Sequence, residues 1–314
     1  MTDIVAWLPY ASPEEAAARL GGVPDGVRVE CYRADGDDYP ASVAEAQFYV
    51  IPYMRGEETL SCASEMTSLR VVQTLTAGYE NFLPHVPETA TLCNAAGVHD
   101  ASTAELALAL TLASGRHLDT FARQQPEGRW APVFGSALAD KRVLIIGYGR
   151  IGEAIEARLA GFEVASITRV ARRARDGEPG VHATTELPAL MAEADVAIVI
   201  APLTPETEGL IDADLLARMP DDALLVNVAR GKLVVTDALV AETGTGRIRA
   251  ALDVTDPEPL PPEHPLWQIP NVLISPHVGG ASSAFWPRAD RLVATQLRRF
   301  VAGEPLDNVI RGAR

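Results

Sequence analysis

Apolar positions along this chain come in short runs of strand length, separated by stretches with a helical repeat. In the first hundred residues these patterns predict strands at 4–8, 27–32, 46–51, 69–75 and 91–94, and a helix at 13–20. Ser12 is the predicted N-cap of that helix, and Pro13 suits its first turn. Alternation of strands and helices is typical of a parallel sheet of βαβ units, so we predict an α/β fold.

The same alternation returns after residue 141 and predicts a second sheet. Its strands are predicted at 142–146, 164–170, 195–201, 223–228, 248–254 and 272–274, with a weaker extended piece at 183–185. Helices are predicted at 153–159, 187–194, 212–219, 236–242 and 285–300. The run 195–201 is apolar almost throughout, which indicates a central parallel strand covered on both faces. The predicted architecture is therefore two doubly wound parallel sheets.

A longer apolar stretch joins the two halves. Up to Leu118 nearly every helical face carries Leu or Ala, so we predict a helix that is buried all round. Ser102 and Glu105 have the spacing of a capping box at its start. The helix is long enough to pass between two domains or to form a subunit contact. Residues 123–140, with Pro, Gly and Trp130, are predicted to be a linker.

A glycine motif follows the strand that opens the second half. Gly147, Gly149 and Gly152 have the spacing Gly-x-Gly-x-x-Gly, directly between an apolar strand and an alanine-rich helix. In a dinucleotide site the first glycine allows a tight turn, the second lets the backbone approach a pyrophosphate, and the third lets helix and strand pack closely. The helix N-terminus then faces the phosphates with its N–H groups. A glycine-rich turn without a ligand is the alternative, and the flanking strand and helix favour the dinucleotide site.

The segment about 20 residues past this motif bears on the choice of dinucleotide. NAD sites usually place Asp or Glu there to bind the ribose 2′-hydroxyl. Here Arg172 and Arg173 occupy the segment, and no acid occurs in it before Asp176. Arginines attract a 2′-phosphate that a carboxylate would repel, so we predict NADP in preference to NAD. A solvated loop of arginines is the alternative.

Polar residues follow the later strands of the second half. They are Arg230, Asp253, Glu258 and His277. In an open α/β sheet the ligand lies beyond the carboxyl ends of the strands. A guanidinium binds a carboxylate through two parallel hydrogen bonds, and a protonated imidazole donates a proton to a carbonyl oxygen. A carboxylate beside an imidazole fixes its tautomer and favours its charged form.

Each of these residues also has an ordinary explanation. Taken alone, Arg230 would more often be a solvated arginine, Glu258 a surface acid in a proline-rich loop, and His277 a structural histidine. Periodicity and composition do not connect the three in space.

Composition excludes several classes of function. A net charge of −15 argues against nucleic acid as a partner. No apolar run reaches the ~20 residues of a membrane span, and the N-terminus lacks the basic start of a signal peptide, so we predict a cytoplasmic protein. Cys31, Cys62 and Cys93 are scattered and odd in number, which indicates ordinary thiols rather than disulfides or a metal site.

The chain resembles the D-isomer-specific 2-hydroxyacid dehydrogenase family. Three blocks carry the resemblance: Val226-Asn-Val-Ala-Arg230-Gly, Leu252-Asp253-Val-Thr-Asp-Pro-Glu258-Pro-Leu and Ser275-Pro-His277-Val-Gly-Gly280. Pro202-Leu-Thr-Pro-Glu-Thr207 and the Ser102-Thr103-Ala-Glu105 helix start match as well, and the likeness is strongest from about residue 99 to 280. It implies two Rossmann-like or flavodoxin-like domains, with a cofactor domain (99–284) inserted into a substrate domain (1–98 plus 285–314).

The resemblance also implies residue roles. Arg230 matches the arginine that binds the substrate carboxylate, His277 the acid/base histidine and Glu258 its paired glutamate. Ala77 and Gly78 match a loop of the first domain that meets the same carboxylate. The implied cofactor contacts are Gly147, Gly149, Arg150, Ile151, Gly152, Arg172, Arg173, Thr103, Pro202, Thr207, Val228, Ala229, Asp253, Gly279 and Gly280.

The expected activity is interconversion of a small 2-oxo acid, such as glyoxylate or hydroxypyruvate, with its D-2-hydroxy acid by a homodimer. Formate is disfavoured, because formate dehydrogenases of this superfamily have glutamine where this chain has Glu258. Phosphite oxidation, which uses the same three residues, is one alternative. A dinucleotide-sensing regulator that binds protein partners is another.

Overall fold

The computed structural model describes residues 4–36, 38–177 and 180–313. The chain forms two compact units, Met1–His99 with Ser283–Arg314 (unit 1) and Asp100–Ser282 (unit 2), so that unit 2 interrupts the chain of unit 1. The expected domain limits differ from these by one or two residues, and their outer ends, Met1 and Arg314, lie outside the described residues. The assignment of substrate to one unit and cofactor to the other stays a prediction.

The strands and helices follow the alternation expected from the sequence. The strands are β1 Ile4–Leu8, β2 Val27–Cys31, β3 Ala46–Val50, β4 Val71–Gln73, β5 Thr91–Cys93, β6 Arg142–Ile146, β7 Ser166–Ala171, β8 His182–Ala183, β9 Val196–Val199, β10 Leu224–Asn227, β11 Arg249–Leu252, β12 Val272–Ile274 and β13 Val309–Arg311. The helices are α1 Pro13–Leu20, α2 Asp100–Gly115, α3 Leu118–Gln124, α4 Arg150–Leu159, α5 Leu187–Met191, α6 Ala213–Arg218, α7 Thr236–Gly244 and α8 Phe285–Ala302.

The sheet of unit 1 has the strand order β2-β1-β3-β4-β5-β13. Its first five strands are parallel and follow the flavodoxin-like order 2-1-3-4-5. The last strand, β13, pairs with β5 in the antiparallel direction. The apolar pattern did not predict β13, in which Val309 and Ile310 are the only two apolar residues.

The sheet of unit 2 has the order β8-β7-β6-β9-β10-β11-β12, and every pairing is parallel. This is the Rossmann order 3-2-1-4-5-6 with one further strand. The register aligns Ile146 with Val199, Val199 with Asn227, Asn227 with Leu252, and Leu252 with Ile274. The loops that follow these five residues therefore leave the sheet at the same edge.

Each sheet is covered on both faces, and alternate side chains of one strand enter different cores. In β6, Leu144 and Ile146 join one buried cluster of unit 2, whereas Val143 and Ile145 join the other. Trp7 in β1 is fully buried on one face of the unit 1 sheet, with Leu8 on the opposite face. Two-sided burial explains the continuous apolar runs.

The start of α1 confirms the capping prediction. Ser12 is the N-cap, and its hydroxyl accepts a hydrogen bond from the backbone N–H of Glu15 at 3.2 Å. Pro13 occupies the first helical position. A satisfied cap of this kind is worth about 1 kcal/mol.

The long central helix corrects three predictions. It begins at Asp100, so Ser102 lies inside it and bonds the Ser282 hydroxyl at 2.6 Å instead of capping the helix. Its surface is not buried all round, since Glu105 and Ala109 are exposed. It also stops near His117, whose φ of 55° breaks the helix before α3, and α3 takes the first two residues of the expected linker.

Two absences hold for the described ranges. No helix there combines the length and apolar character that a bilayer crossing requires. No group of three or more His, Cys, Asp and Glu side chains there is arranged to hold a metal ion.

Candidate active site

The glycine loop connects β6 to α4 at the carboxyl edge of the unit 2 sheet. Gly147 has a φ of 111°, and a Cβ there would lie 2.4 Å from the backbone nitrogen of Ala201. A Cβ on Gly152 would lie 2.6 Å from the carbonyl oxygen of Gly147. Gly149 is different, because a Cβ there would meet no protein atom within 4 Å. Packing therefore requires two of the glycines, and the third leaves open space at the N-terminus of α4, where a pyrophosphate fits.

The first residues of α4 lie beside this space. The Arg150 side chain is 69% exposed, and its Nε donates to the Asp100 carboxylate at 2.9 Å. Ile151 is half-buried against a core cluster of unit 2. A cationic side chain thus stands at the start of a helix whose dipole already favours anions.

One arginine near the predicted cofactor arginines is bound to another side chain of the protein. Arg169, in β7, donates from Nε to Glu156 at 2.6 Å, and the Tyr148 hydroxyl donates to the same carboxylate at 2.5 Å. The hydrogen bond from Arg169 lowers the pKa of Glu156, and the same contact raises the pKa of Arg169. This cluster fixes the aromatic ring of the glycine loop against α4.

The arginines after β7 have a different setting. Arg172 and Arg173 are exposed in the loop that follows the strand. The guanidinium of Arg175 donates to the carbonyl oxygen of Tyr148. Glu206 stands near Arg172: hydrogen bonds from Thr204 and its own backbone lower the pKa of its carboxyl, and the charge of Arg172 adds to this effect.

The turn after β9 and the end of β10 also lie at the carboxyl edge of the unit 2 sheet. The Thr207 hydroxyl donates to the Pro202 carbonyl oxygen at 2.7 Å and accepts from the Thr204 backbone at 2.8 Å. Thr207 is buried, so its hydroxyl serves to shape this turn. Val228 and Ala229 are buried where β10 ends.

The loop that carries Arg230 is held by a buried amide. Asn227 is 1% exposed, accepts from the Ala229 backbone N–H at 3.1 Å and donates to the Arg230 carbonyl oxygen at 2.9 Å. A Cβ on Gly231 would lie 1.9 Å from the Thr255 carbonyl oxygen. Only glycine allows the loops after β10 and β11 to approach this closely. The arginine is thus placed beside the loop that leads to Glu258.

Asp253 organises the loop after β12. It is 2% exposed, and its carboxylate accepts from the Ser275 hydroxyl at 2.6 Å, the Val278 N–H at 2.9 Å and the Gly279 N–H at 2.8 Å. Its carbonyl oxygen accepts from the His277 N–H at 2.8 Å. His277 has a φ of 52°, a left-handed conformation that is uncommon for residues other than glycine. The contacts of Asp253 hold the histidine in that conformation.

Thr103 and the two glycines after the histidine lie against the same aspartate. Thr103 donates to the Gly279 carbonyl oxygen at 3.3 Å. A Cβ on Gly279 would lie 3.0 Å from the Asp253 carboxylate, so the glycine allows close contact. Gly280, half-buried, follows it.

The structure brings His277 and Glu258 into direct contact. The Nδ1 atom of His277 bonds Oε1 of Glu258, and the two side chains are 48% and 41% exposed. Bonding through Nδ1 leaves Nε2 available to a ligand. The pair has the arrangement of a general acid with an orienting carboxylate.

The predicted site residues fall in both units. Arg230, Glu258, His277 and the predicted cofactor contacts belong to unit 2, whereas Ala77 and Gly78 lie in unit 1, in the loop after β4. Their individual roles stay predictions. Sequence reasoning missed Asn227, Ser275 and Gly231, which position the others. One signal was present: Asn227 is the only polar residue of an otherwise apolar strand.

A Rossmann-ordered sheet with a glycine loop and a histidine–glutamate pair at one edge defines a dinucleotide-dependent oxidoreductase. The chain belongs to the D-isomer specific 2-hydroxyacid dehydrogenase family, whose NAD binding domain model matches residues 108–279. It is therefore an oxidoreductase that uses a nicotinamide dinucleotide and acts on a small molecule.

Relatives with named activities support this assignment. The chain is 37% identical over 218 residues to a human glyoxylate reductase/hydroxypyruvate reductase, an alignment that covers 67% of this chain and 66% of that protein. It is 34% identical over 250 residues to a glyoxylate reductase of Thermofilum pendens, covering 76% of this chain and 73% of the relative.

Solved structures match nearly the whole chain. An NADPH-dependent glyoxylate/hydroxypyruvate reductase of Sinorhizobium meliloti, in complex with NADP and malonate, is 27% identical with a TM-score of 0.80, covering 100% of this chain and 99% of that one. A D-isomer specific 2-hydroxyacid dehydrogenase of Xanthobacter autotrophicus Py2, in complex with NADPH and MES, is 28% identical with a TM-score of 0.80, covering 99% and 98%.

Proposed function

We propose that this protein is an NADP-dependent reductase of short 2-oxo acids, such as glyoxylate or hydroxypyruvate, which yields the D-2-hydroxy acid. The contact between His277 and Glu258 at the carboxyl edge of unit 2 carries the proposal. The named activities of the relatives give the substrate class. Unit 1 would serve the substrate and unit 2 the cofactor.

Arg230, His277 and Glu258 each have a separate role in the proposed reaction. When bound, the dinucleotide supplies the hydride. Arg230 binds the substrate carboxylate through paired hydrogen bonds and so orients the neighbouring carbonyl group. His277 holds a proton at Nε2 and gives it to the carbonyl oxygen, while Glu258 keeps the imidazole in place through Nδ1.

Exposed arginines favour NADP over NAD as the cofactor. Arg172 and Arg173 follow β7, where a carboxylate would be needed to bind a ribose 2′-hydroxyl. Glu206 balances part of the charge of Arg172 and leaves Arg173 as a second cation. Two structural relatives hold NADP or NADPH. NAD is the weaker alternative ligand.

We also propose that the protein is a homodimer through unit 2. Leu106, Ala109 and Ala113 lie on one side of α2 at helical spacing and keep some exposure. Trp130 and Phe134, in the segment that follows α3, are 97% and 103% exposed. Exposed apolar surface of this extent is typical of a subunit contact, and a second copy is the commonest partner.

A cytoplasmic location fits the thiols. Cys31, Cys62 and Cys93 are unpaired. Burial raises the pKa of Cys93 to about 11, so this thiol stays protonated and unreactive at neutral pH. Free thiols of this kind are usual in a reducing compartment.

The function is tested by NADPH oxidation with a panel of 2-oxo acids, followed by loss of the reduced-nicotinamide absorbance. We expect turnover by the wild type and a loss of about 100-fold or more in kcat for His277→Ala, with NADPH binding retained. His182→Ala is the matched control, because His182 also bonds a glutamate, Glu186, through Nδ1 at 2.8 Å. It should keep wild-type turnover.

Other outcomes decide against the proposal. Equal activity of His277→Ala would refute the role of the histidine. NADPH binding without turnover of any 2-oxo acid would favour a dinucleotide sensor. NADP reduction with phosphite, but not with 2-hydroxy acids, would favour the phosphite reaction.

A further inference from the structure

The loop after β4 has every carbonyl group from Thr76 to Gly78 bonded within unit 1. The Thr76 carbonyl accepts from the Ala95 N–H at 2.9 Å. The Ala77 carbonyl accepts from Asn94 Nδ2 at 2.6 Å, and the Gly78 carbonyl accepts from the Thr76 hydroxyl at 2.7 Å. The Thr74 hydroxyl also donates to the Thr76 carbonyl at 3.0 Å, so four donors fix the direction of three consecutive carbonyl groups.

The N–H groups of the same loop have a different environment. Among the residues that the structure describes, the N–H groups of Ala77 and Gly78 meet no acceptor, and both residues are partly exposed. Consecutive N–H groups of this kind form an anion-binding concavity. A substrate carboxylate has two oxygens that can accept from such a pair.

Two buried side-chain amides form a hydrogen-bonded chain beside the loop after β4. Gln73 and Gln296 are fully buried. Gln73 Nε2 donates to the carbonyl oxygens of Thr74 at 2.8 Å and Asn94 at 2.9 Å, while its Oε1 accepts from Gln296 Nε2 at 2.8 Å. Gln296 also exchanges two hydrogen bonds with the Asp307 backbone, at 2.9 Å and 2.8 Å. Both amide groups have all their N–H donors satisfied, so Asn94 is held with little freedom.

We propose that Asn94 is a positioning residue for substrate binding. By holding the Ala77 carbonyl group, it turns the Gly78 N–H of the same peptide group toward the substrate carboxylate. The Ala77 N–H is oriented in the same way by the bond from the Ala95 N–H to the Thr76 carbonyl. The inference rests on the proposed function, because it takes this loop as a carboxylate contact. Asn94 itself does not touch the substrate, and acts through the loop.

The test compares two asparagines that have the same chemistry. Asn94→Asp removes the donor to Ala77, and Asn308→Asp removes a similar donor, which bonds the Ala96 carbonyl at 3.0 Å. Asn308 has a φ of 54°, which Asp also tolerates, so the control should fold. We expect KM for the best 2-oxo acid to rise about tenfold in Asn94→Asp, the effect of one lost hydrogen bond with its misaligned loop. The kcat and the Kd for NADPH should stay within about twofold, and Asn308→Asp should match the wild type.

Thr76→Val removes the donor that holds the next peptide group, that of the Gly78 carbonyl, without adding charge. The loosened loop should also raise KM, by less than in Asn94→Asp. It decides the question if Asn94→Asp does not fold. Unchanged KM in Thr76→Val and folded Asn94→Asp would overturn the inference, as would an equal rise in Asn308→Asp. A wild type that turns over no 2-oxo acid would instead refute the proposed function, and this role with it.

Discussion

At the scale of single residues, four neighbouring arginines have three different settings. Arg169 is bound to Glu156, and Arg175 to the carbonyl group of Tyr148. Arg172 and Arg173 are exposed beyond the strand end. The number of arginines therefore overstates the charge available to the proposed 2′-phosphate, for which Arg172 and Arg173 remain.

Replacing both exposed arginines should change the cofactor preference. In Arg172→Ala/Arg173→Ala we expect the Kd for NADPH to rise about tenfold or more, since each charged hydrogen bond to a phosphate contributes about 1.5–3 kcal/mol. The Kd for NADH should change little, because it has no 2′-phosphate. Fluorescence titration with both cofactors measures the two constants.

Arg218→Ala is the control for this experiment, since Arg218 is an exposed arginine at the end of α6. It should bind both cofactors as the wild type does. A wild type that binds NADH more tightly than NADPH would contradict the NADP preference.

At the scale of elements, the junction between β6 and α4 combines packing with binding. Gly147 and Gly152 are needed because backbone atoms lie where their Cβ atoms would be. Gly149 has ordinary extended dihedral angles, and nothing in the protein excludes a side chain there. We therefore expect any need for glycine at this position to come from a ligand.

Two alanine substitutions should separate these requirements. Gly149→Ala should change the free energy of unfolding by less than about 1 kcal/mol, but weaken NADPH binding about tenfold, because the new methyl group occupies the pyrophosphate space. Gly152→Ala should destabilise the fold by about 1–3 kcal/mol, since its Cβ meets a backbone oxygen. Urea unfolding and NADPH titration measure both effects. Wild-type NADPH affinity in Gly149→Ala would argue against a pyrophosphate at this loop.

At the scale of the whole molecule, the proposed homodimer would form through one apolar segment of unit 2. Trp130 and Phe134 expose nearly their whole surface, which is costly for a lone chain in water. The segment ends where the Ser136 N–H donates to the Gly115 carbonyl oxygen at 2.7 Å, at the end of α2. It therefore lies next to the helix that carries the partly exposed apolar side chains.

Polar replacements in this segment should dissociate the homodimer. We expect Trp130→Ser/Phe134→Ser to elute with the mass of one chain, and the wild type with twice that mass, in size-exclusion chromatography with light scattering. Val309→Ser is the control, because Val309 is also apolar and 46% exposed but lies in unit 1. A wild type that is monomeric at micromolar concentration would contradict the proposal.

The order of apolar runs and glycines along the chain was enough to predict the class of fold. Apolar runs such as 195–201 predicted central strands because a parallel strand is covered on both faces and needs no alternation. The glycine spacing indicated a dinucleotide loop, because the tight turn and the start of the helix depend on residues that are neighbours in the chain. The sequence pattern did not predict the strand β13 or the break of the long helix at His117.

The contacts that hold the site could not be predicted in this way, because they join distant parts of the chain. His277 and Glu258 are 19 residues apart, and their contact depends on the register of two parallel strands and the loops that follow them. The same register places Asp253 where its carboxylate can bind the loop of the histidine. The hydrogen bonds of Asn94 and Gln296 likewise join residues that are far apart in the chain. Local pattern determines which element forms, whereas long-range pairing determines which polar groups meet.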